Sequence, residues 1–246
     1  MHPSSLPSEA HVWLLAGAED AAASQLDGLA SLLHEEERTR AARYLRAVDR
    51  ARSIVTRALL RLTLSRYAPV APDAWRFVTN RYGRPELAEV PRSAAGLRFN
   101  VSHTEGLIAI AVARDRDIGV DVEYIERRLT HDIAGRFFSP AEVHDLRQQP
   151  AEAQPRVFFD YWTLKESYIK ARGMGLALPL EDFSFHLRPD GPPTISFAPA
   201  LDDDPARWQF AQGWPSEHHR LAVAIERRGE DLPVHIASLP LEHVAR

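Results

Sequence analysis

The sequence predicts a fold built from both helices and sheets, large enough for one big domain or two lobes. Three observations carry that reading. The chain has 246 residues and is 45% hydrophobic, enough to bury a full core. Residues 34 to 67 place apolar side chains at helical spacing, whereas residues 106 to 113 hold an unbroken apolar run suited to a strand covered on both faces. Strand-like stretches followed by helix-like ones recur in both halves of the chain.

The opening residues Met1-His2-Pro3-Ser4-Ser5 lack a basic leader. The apolar run Val12 to Ala18 is too short for a signal core or a membrane span, so it reads as a strand. From His34 to Tyr67 the positions Ile54, Val55, Ala58, Leu59 and Leu62 mark one helical face, with Asp49 placed to cap a break between two helices. Trp75 to Val78 reads as a short strand and Tyr82-Gly83-Arg84-Pro85 as a turn. Leu97 to His103 and Gly106 to Ala113 follow as strands. The polar Arg114-Asp115-Arg116-Asp117 turn marks a lobe boundary, giving lobes of 1–114 and 115–246. Beyond it come a strand from Asp117 to Glu123, a helix from Phe137 to Gln148 opened by Ser139-Pro140, and a helix from Pro155 to Arg172 stopped by Gly173. Phe183 to Leu187, Thr194 to Phe197 and Leu221 to Ile225 are further strand candidates, with an irregular Pro- and Asp-rich loop over 189–205.

Composition narrows the chemistry. There is no cysteine, hence no disulfide framework, thiolate metal site or cysteine nucleophile, a usage that suits the cytoplasm. A formal net charge of -4 argues against bulk attraction to nucleic acid, yet residues 38 to 66 hold nine arginines against the single acid Asp49. That basic face is either plainly solvated or shaped to grip a small multiply charged anion with guanidinium forks. Against 28 arginines stand two lysines, Lys165 and Lys170, both in the segment Phe158 to Lys170. An ammonium is a compact charge that can also release its proton, which arginine cannot, so the pair reads as an acid or phosphate site unless chance put them together.

Two further patterns join that segment. In Asp117-Ile118-Gly119-Val120-Asp121-Val122-Glu123, strand alternation turns Asp121 and Glu123 to one face, about 7 Å apart at their α-carbons. Near a core strand two such carboxylates need a shared proton or a cation between them, and an all-oxygen set favours Mg²⁺; at a solvated strand end they need neither. Trp162, Glu166 and Lys170 fall at i, i+4 and i+8 on one helix face, set among Phe158, Tyr161, Leu164, Tyr168 and Ile169. Glu166 and Lys170 could be an ordinary surface ion pair, but a carboxylate bordering an apolar stripe is costly without a partner, which makes Glu166 a candidate third acid. His103, ending its strand after Ser102, is a structural histidine or a ligand contact. No HExxH, GxSxG, P-loop or GxGxxG string occurs, so zinc protease, esterase, P-loop and Rossmann readings fall away at the motif level.

Gly83-Arg84-Pro85, Phe99-Asn100-Val101-Ser102-His103, Ile118 to Glu123, Trp162 to Ser167 with Lys170, and Gly173-Met174-Gly175-Leu176, in this order and spacing, resemble 4'-phosphopantetheinyl transferases of the surfactin-synthetase type. The resemblance implies an α+β fold of two similar lobes related by a pseudo-twofold, each a small antiparallel sheet packed with helices, with the active site in the cleft between them. It implies a cytoplasmic monomer that uses Mg²⁺, or Mn²⁺ in its place, to move phosphopantetheine from coenzyme A to a serine of an apo acyl or peptidyl carrier protein, without nucleic-acid or membrane partners. Asp121, Glu123 and Glu166 match the family's acidic metal site, and Glu166 also its base. Lys170 matches the lysine at the pyrophosphate, and Lys165 is given a phosphate contact. Ser102 and His103 match contacts near the nucleotide 3'-phosphate. Arg84 stands where a lysine is frequent, and Arg40 and Arg52 lie in helices expected to face the nucleotide. Met174 also replaces a frequent lysine, which alters the geometry of anion binding and leaves the reaction type intact. Without the resemblance, the same acids would serve a metal-dependent phosphodiester hydrolase, and the same cations a non-catalytic coenzyme A or nucleotide-binding module.

Overall fold

The computed structural model describes residues 9–20, 23–127 and 132–240; the leader reading at residues 1–5 lies outside them. The chain divides into two compact units, Met1–Val78 with Pro85–Asp115 and Pro233–Arg246, and Thr79–Arg84 with Arg116–Leu232. Both are α+β, as the sequence led us to expect.

In the first unit, strand β1 (Ala10–Ala16) is followed by helices α1 (Ala23–Ser31), α2 (Glu35–Ala42) and α3 (Ala47–Leu64). The helical stretch breaks at residues 43–46, and Arg46 rather than Asp49 takes the N-cap; Asp49 sits inside the first turn, where its charge suits the helix dipole. Val55, Ala58, Leu59 and Leu64 of α3 pack with Trp13, Leu15, Ile108, Ile110 and Val112 in one core. The hairpin strands β2 (Arg76–Thr79) and β3 (Pro85–Ala88) flank the predicted turn, whose Gly83 has φ 90°, a conformation that favours glycine. Strands β4 (Leu97–Thr104) and β5 (Leu107–Arg114) then pair antiparallel, with β5 running antiparallel to β1 on its other side.

The second unit starts with β6 (Ile118–Tyr124) and passes through α4 (Ile133–Phe137), α5 (Pro140–Gln148) and α6 (Gln154–Arg172). Ser139 caps α5 and Glu142 returns the favour to the Ser139 amide, a reciprocal capping box. Gly173, at φ 63°, ends α6 in the left-handed conformation. After it come β7 (Phe183–His186), β8 (Thr194–Phe197), β9 (Trp208–Ser216) and β10 (His219–Glu226), with the antiparallel sheet ordered β6-β10-β9.

The last strand, β11 (Val234–Ser238), runs parallel to β1 and completes the first unit's sheet in the order β11-β1-β5-β4. A single cut after residue 114 therefore does not describe the tail, because β1 offered a second edge that β11 fills. The same pairing makes that sheet mixed rather than purely antiparallel.

Helix α6 is buried on nearly every side, with Phe159, Leu164 and Tyr168 packed among Phe183, Phe185, Trp208 and Phe210. It reaches β6 at Gly119. A β-carbon there would lie 2.0 Å from the Ser167 carbonyl oxygen and 2.5 Å from the Ala171 amide, so only glycine admits the helix this closely. Ala224 and Ala222, the cross-strand partners of Gly119 and Asp121 on β10, keep the rest of that face shallow. We expect Gly119→Ala to destabilise the protein by about 3 kcal/mol in urea titrations, at the upper end of overpacking costs because the obstacle is backbone.

Candidate active site

The helix-on-strand approach at Gly119 sets two acidic residues of β6 against one face of α6. Strand alternation turns Asp121 and Glu123 to the same side as Gly119. Trp162, Glu166 and Lys170 follow one another along the facing helix. At one end the Trp162 Nε1 donates to Glu123 Oε1 at 3.0 Å; at the other the Lys170 Nζ donates to Asp121 Oδ1 at 2.6 Å. Glu166 lies between Trp162 and Lys170 along the helix, close enough to Asp121 to feel its charge.

The electrostatics register that crowding. Burial pushes the Glu166 carboxyl up to about 7, with the Asp121 charge as the next cause, against the lowering pull of Lys170 and Arg127. Glu123 is likewise pushed up to about 7 by burial and then by Asp121, while Arg127, Trp162 and Lys170 pull it down. Asp121 is itself buried. Two carboxyls pushed up in this way beside a third form a cluster that favours nearby positive charge. The donors are all hard oxygens, which fits a Mg²⁺-like cation held by Asp121, Glu123 and Glu166. Among the described residues no three acidic or histidine side chains already stand in ligating positions, and the positive charge is instead supplied by Lys170 and Arg127.

Lys165 is placed otherwise than the resemblance implied. It lies about 100° around α6 from Glu166 and is wholly buried, its ammonium 2.8 Å from Glu142 Oε2 and donating to the carbonyls of Leu180 and Phe183 at 2.7 and 2.8 Å. Three donors meet three acceptors, which leaves none for a phosphate. Arg84 donates to the Ala171 carbonyl at 2.7 Å and lies 3.7 Å from Asp117, so it fastens the C-terminal end of α6. Arg52 is committed to Glu19 at 2.7 Å, whose carboxylate also accepts from the Gly106 amide. Arg40 is exposed on α2, and Ser102 and His103, buried and exposed respectively, end β4; all three belong to the first unit. Sequence reasoning did not find Arg127, four residues beyond Glu123 in the turn after β6, whose Nη2 lies 3.2 Å from Glu123 Oε1. Nothing in local pattern distinguishes it from its neighbour Arg128.

Two outcomes follow. Glu166 binds its proton more tightly in the folded protein than the ordinary carboxylate of the unfolded chain, so the folded state holds more protons between about pH 4.5 and 7 and loses stability as pH rises through that window. With chelator present, Glu166→Gln should therefore raise the melting temperature more at pH 8 than at pH 5. Lys165→Met should cost about 3–5 kcal/mol in urea unfolding, because it strands the Glu142 carboxylate in the core.

Comparison with known proteins identifies the family. Residues 117–224 match the 4'-phosphopantetheinyl transferase superfamily, and residues 20–115 match the family described as 4'-phosphopantetheinyl transferase, N-terminal. The chain is 37% identical over 223 residues to the 4'-phosphopantetheinyl transferase HetI of Nostoc sp. (strain PCC 7120), covering 89% of each. It is 34% identical over 165 residues to the 4'-phosphopantetheinyl transferase Sfp of Bacillus subtilis (strain 168), covering 67% of this chain and 71% of that one. A third relative, the 4'-phosphopantetheinyl transferase psf-1 of Bacillus pumilus, is 32% identical over 71% of this chain and 72% of its own length. With both units matched in order and the acid-bearing strand and helix inside the longer match, the chain belongs to the 4'-phosphopantetheinyl transferases and is an enzyme of the surfactin-synthetase type.

Proposed function

We propose that this transferase moves the 4'-phosphopantetheine group of coenzyme A onto a serine hydroxyl of an apo acyl or peptidyl carrier protein, with Mg²⁺ or Mn²⁺ bound at Asp121, Glu123 and Glu166, and releases adenosine 3',5'-bisphosphate. The supporting observation is the Lys170 ammonium 2.6 Å from Asp121, on the same helix face as a Glu166 carboxyl pushed up to about 7.

To the Glu166 carboxylate we assign acceptance of the proton of the attacking serine. Lys170, one helical turn beyond it, holds positive charge where the pyrophosphate bond breaks and can donate a proton to the departing oxygen. The divalent ion, when bound, offsets the charge that builds on the phosphate oxygens. Trp162 holds Glu123 in register with the helix, and Arg84 fixes the end of α6 that carries Lys170. To Arg40, Ser102 and His103 we assign the nucleotide end of coenzyme A, on the family pattern. We place the reaction in the cytoplasm, in keeping with a chain without cysteine, and have the enzyme work as a monomer. No helix among the described residues is long and apolar enough to cross a membrane.

Intact-mass analysis of an apo carrier mixed with coenzyme A, Mg²⁺ and this protein should show the added phosphopantetheine; no gain across acyl and peptidyl carriers would overturn the reading. Glu166→Gln should slow transfer about 10²- to 10⁴-fold. Lys170→Arg keeps the charge but cannot release a proton, and should lose about 100-fold; full turnover would leave Lys170 a purely electrostatic role.

A further inference from the structure

One oxygen of Glu123 meets two partners: it accepts from the Trp162 indole of α6 at 3.0 Å, and it is ion-paired at 3.2 Å with the Arg127 guanidinium of the turn after β6. The two ends of the ion pair are unlike. The Glu123 side chain is 13% exposed and fixed on a strand, whereas the Arg127 side chain is 42% exposed and borders the Phe159 ring at 5.6 Å. Such a pair separates at small cost on the arginine side, because an exposed guanidinium regains water. Glu123 has no such relief, and leaving it without positive charge beside Asp121 is the expensive outcome.

We propose that Arg127 is a tethered competitor for the divalent cation, occupying Glu123 in the metal-free protein and leaving it when the ion arrives, and thereby sets how tightly the metal is held. This rests on the three-carboxylate reading given above. Trp162 is the constant partner and Arg127 the exchangeable one. A neutral indole can keep its hydrogen bond to a carboxylate whose other charge partner is a metal, whereas a guanidinium at the same oxygen repels the ion. The apparent affinity for the metal is reduced by the fraction of molecules in which Arg127 holds Glu123. An arginine that merely braced the fold would stabilise metal-free and metal-bound protein alike and would not touch that affinity.

The test is calorimetric titration of Mg²⁺ into chelator-stripped protein, with melting curves recorded in chelator and in saturating Mg²⁺. Arg127→Gln should bind Mg²⁺ roughly three- to tenfold more tightly than the natural protein. It should melt lower in chelator and level with the natural protein once Mg²⁺ saturates. Arg127→Lys, which keeps the charge, should stay near the natural affinity. Mg²⁺ binding by the natural protein with equal or weaker binding by Arg127→Gln would overturn this inference alone. No Mg²⁺ binding by either protein would overturn the carboxylate site, and this inference with it.

Discussion

The candidate site depends on how closely one helix can lie on one strand. Gly119 removes the side chain that would strike the backbone of α6, and Ala222 and Ala224 beside it keep the sheet surface low. The polar bonds between α6 and the sheet follow from that closeness: Trp162 to Glu123, Lys170 to Asp121, and Asp160 to Arg220 at 2.6 Å. If the helix stood off by the width of a methyl group, these donors and acceptors would fall out of hydrogen-bond range. The burial and the Asp121 charge that push Glu123 and Glu166 up would then both weaken. The electrostatics of the candidate site is a consequence of packing.

The two lysines of an otherwise arginine-only chain divide their labour. One is architectural. Lys165 needs a compact cation with three donors, because Glu142 and two carbonyls close around it in a space that a planar guanidinium with five donors would overfill and under-satisfy. Glu142 in turn receives the Ser139 and Phe185 amides, so one ion pair ties the start of α5, the middle of α6 and strand β7 together. The other lysine faces Asp121 at the candidate site. The unusual lysine usage was therefore a sound pointer to the helix, and misleading about one of its two members.

What could be read from the sequence was whatever local pattern controls. The continuous apolar run became β5, alternation in 118–123 turned both acids to one side, and the Ser139-Pro140 and Gly173 signals bounded α5 and α6 within three residues. Spacing alone put Trp162, Glu166 and Lys170 on one face. What escaped was set by distant partners. Strand β9 contains Gly213 and Pro215 and has a weak local signal, yet pairs along most of β10. Arg84 and Arg52, read as anion contacts, also reach a helix end and Glu19, neighbours that sequence distance conceals. Arg127 was invisible because its role exists only once the turn after β6 brings it back over Glu123.

The parallel seam between β1 and β11 orders events during synthesis. The second unit is drawn from an almost continuous stretch and can close on the ribosome while the chain is still growing. Strand β1, buried along nearly its whole length, keeps one edge open until residues 234–238 emerge more than 200 positions later. For that interval the nascent protein carries an apolar strand with unpaired backbone groups, the kind of edge that recruits foreign strands. The first unit is thus completed after the second, and through that interval its open edge depends on shielding from foreign strands.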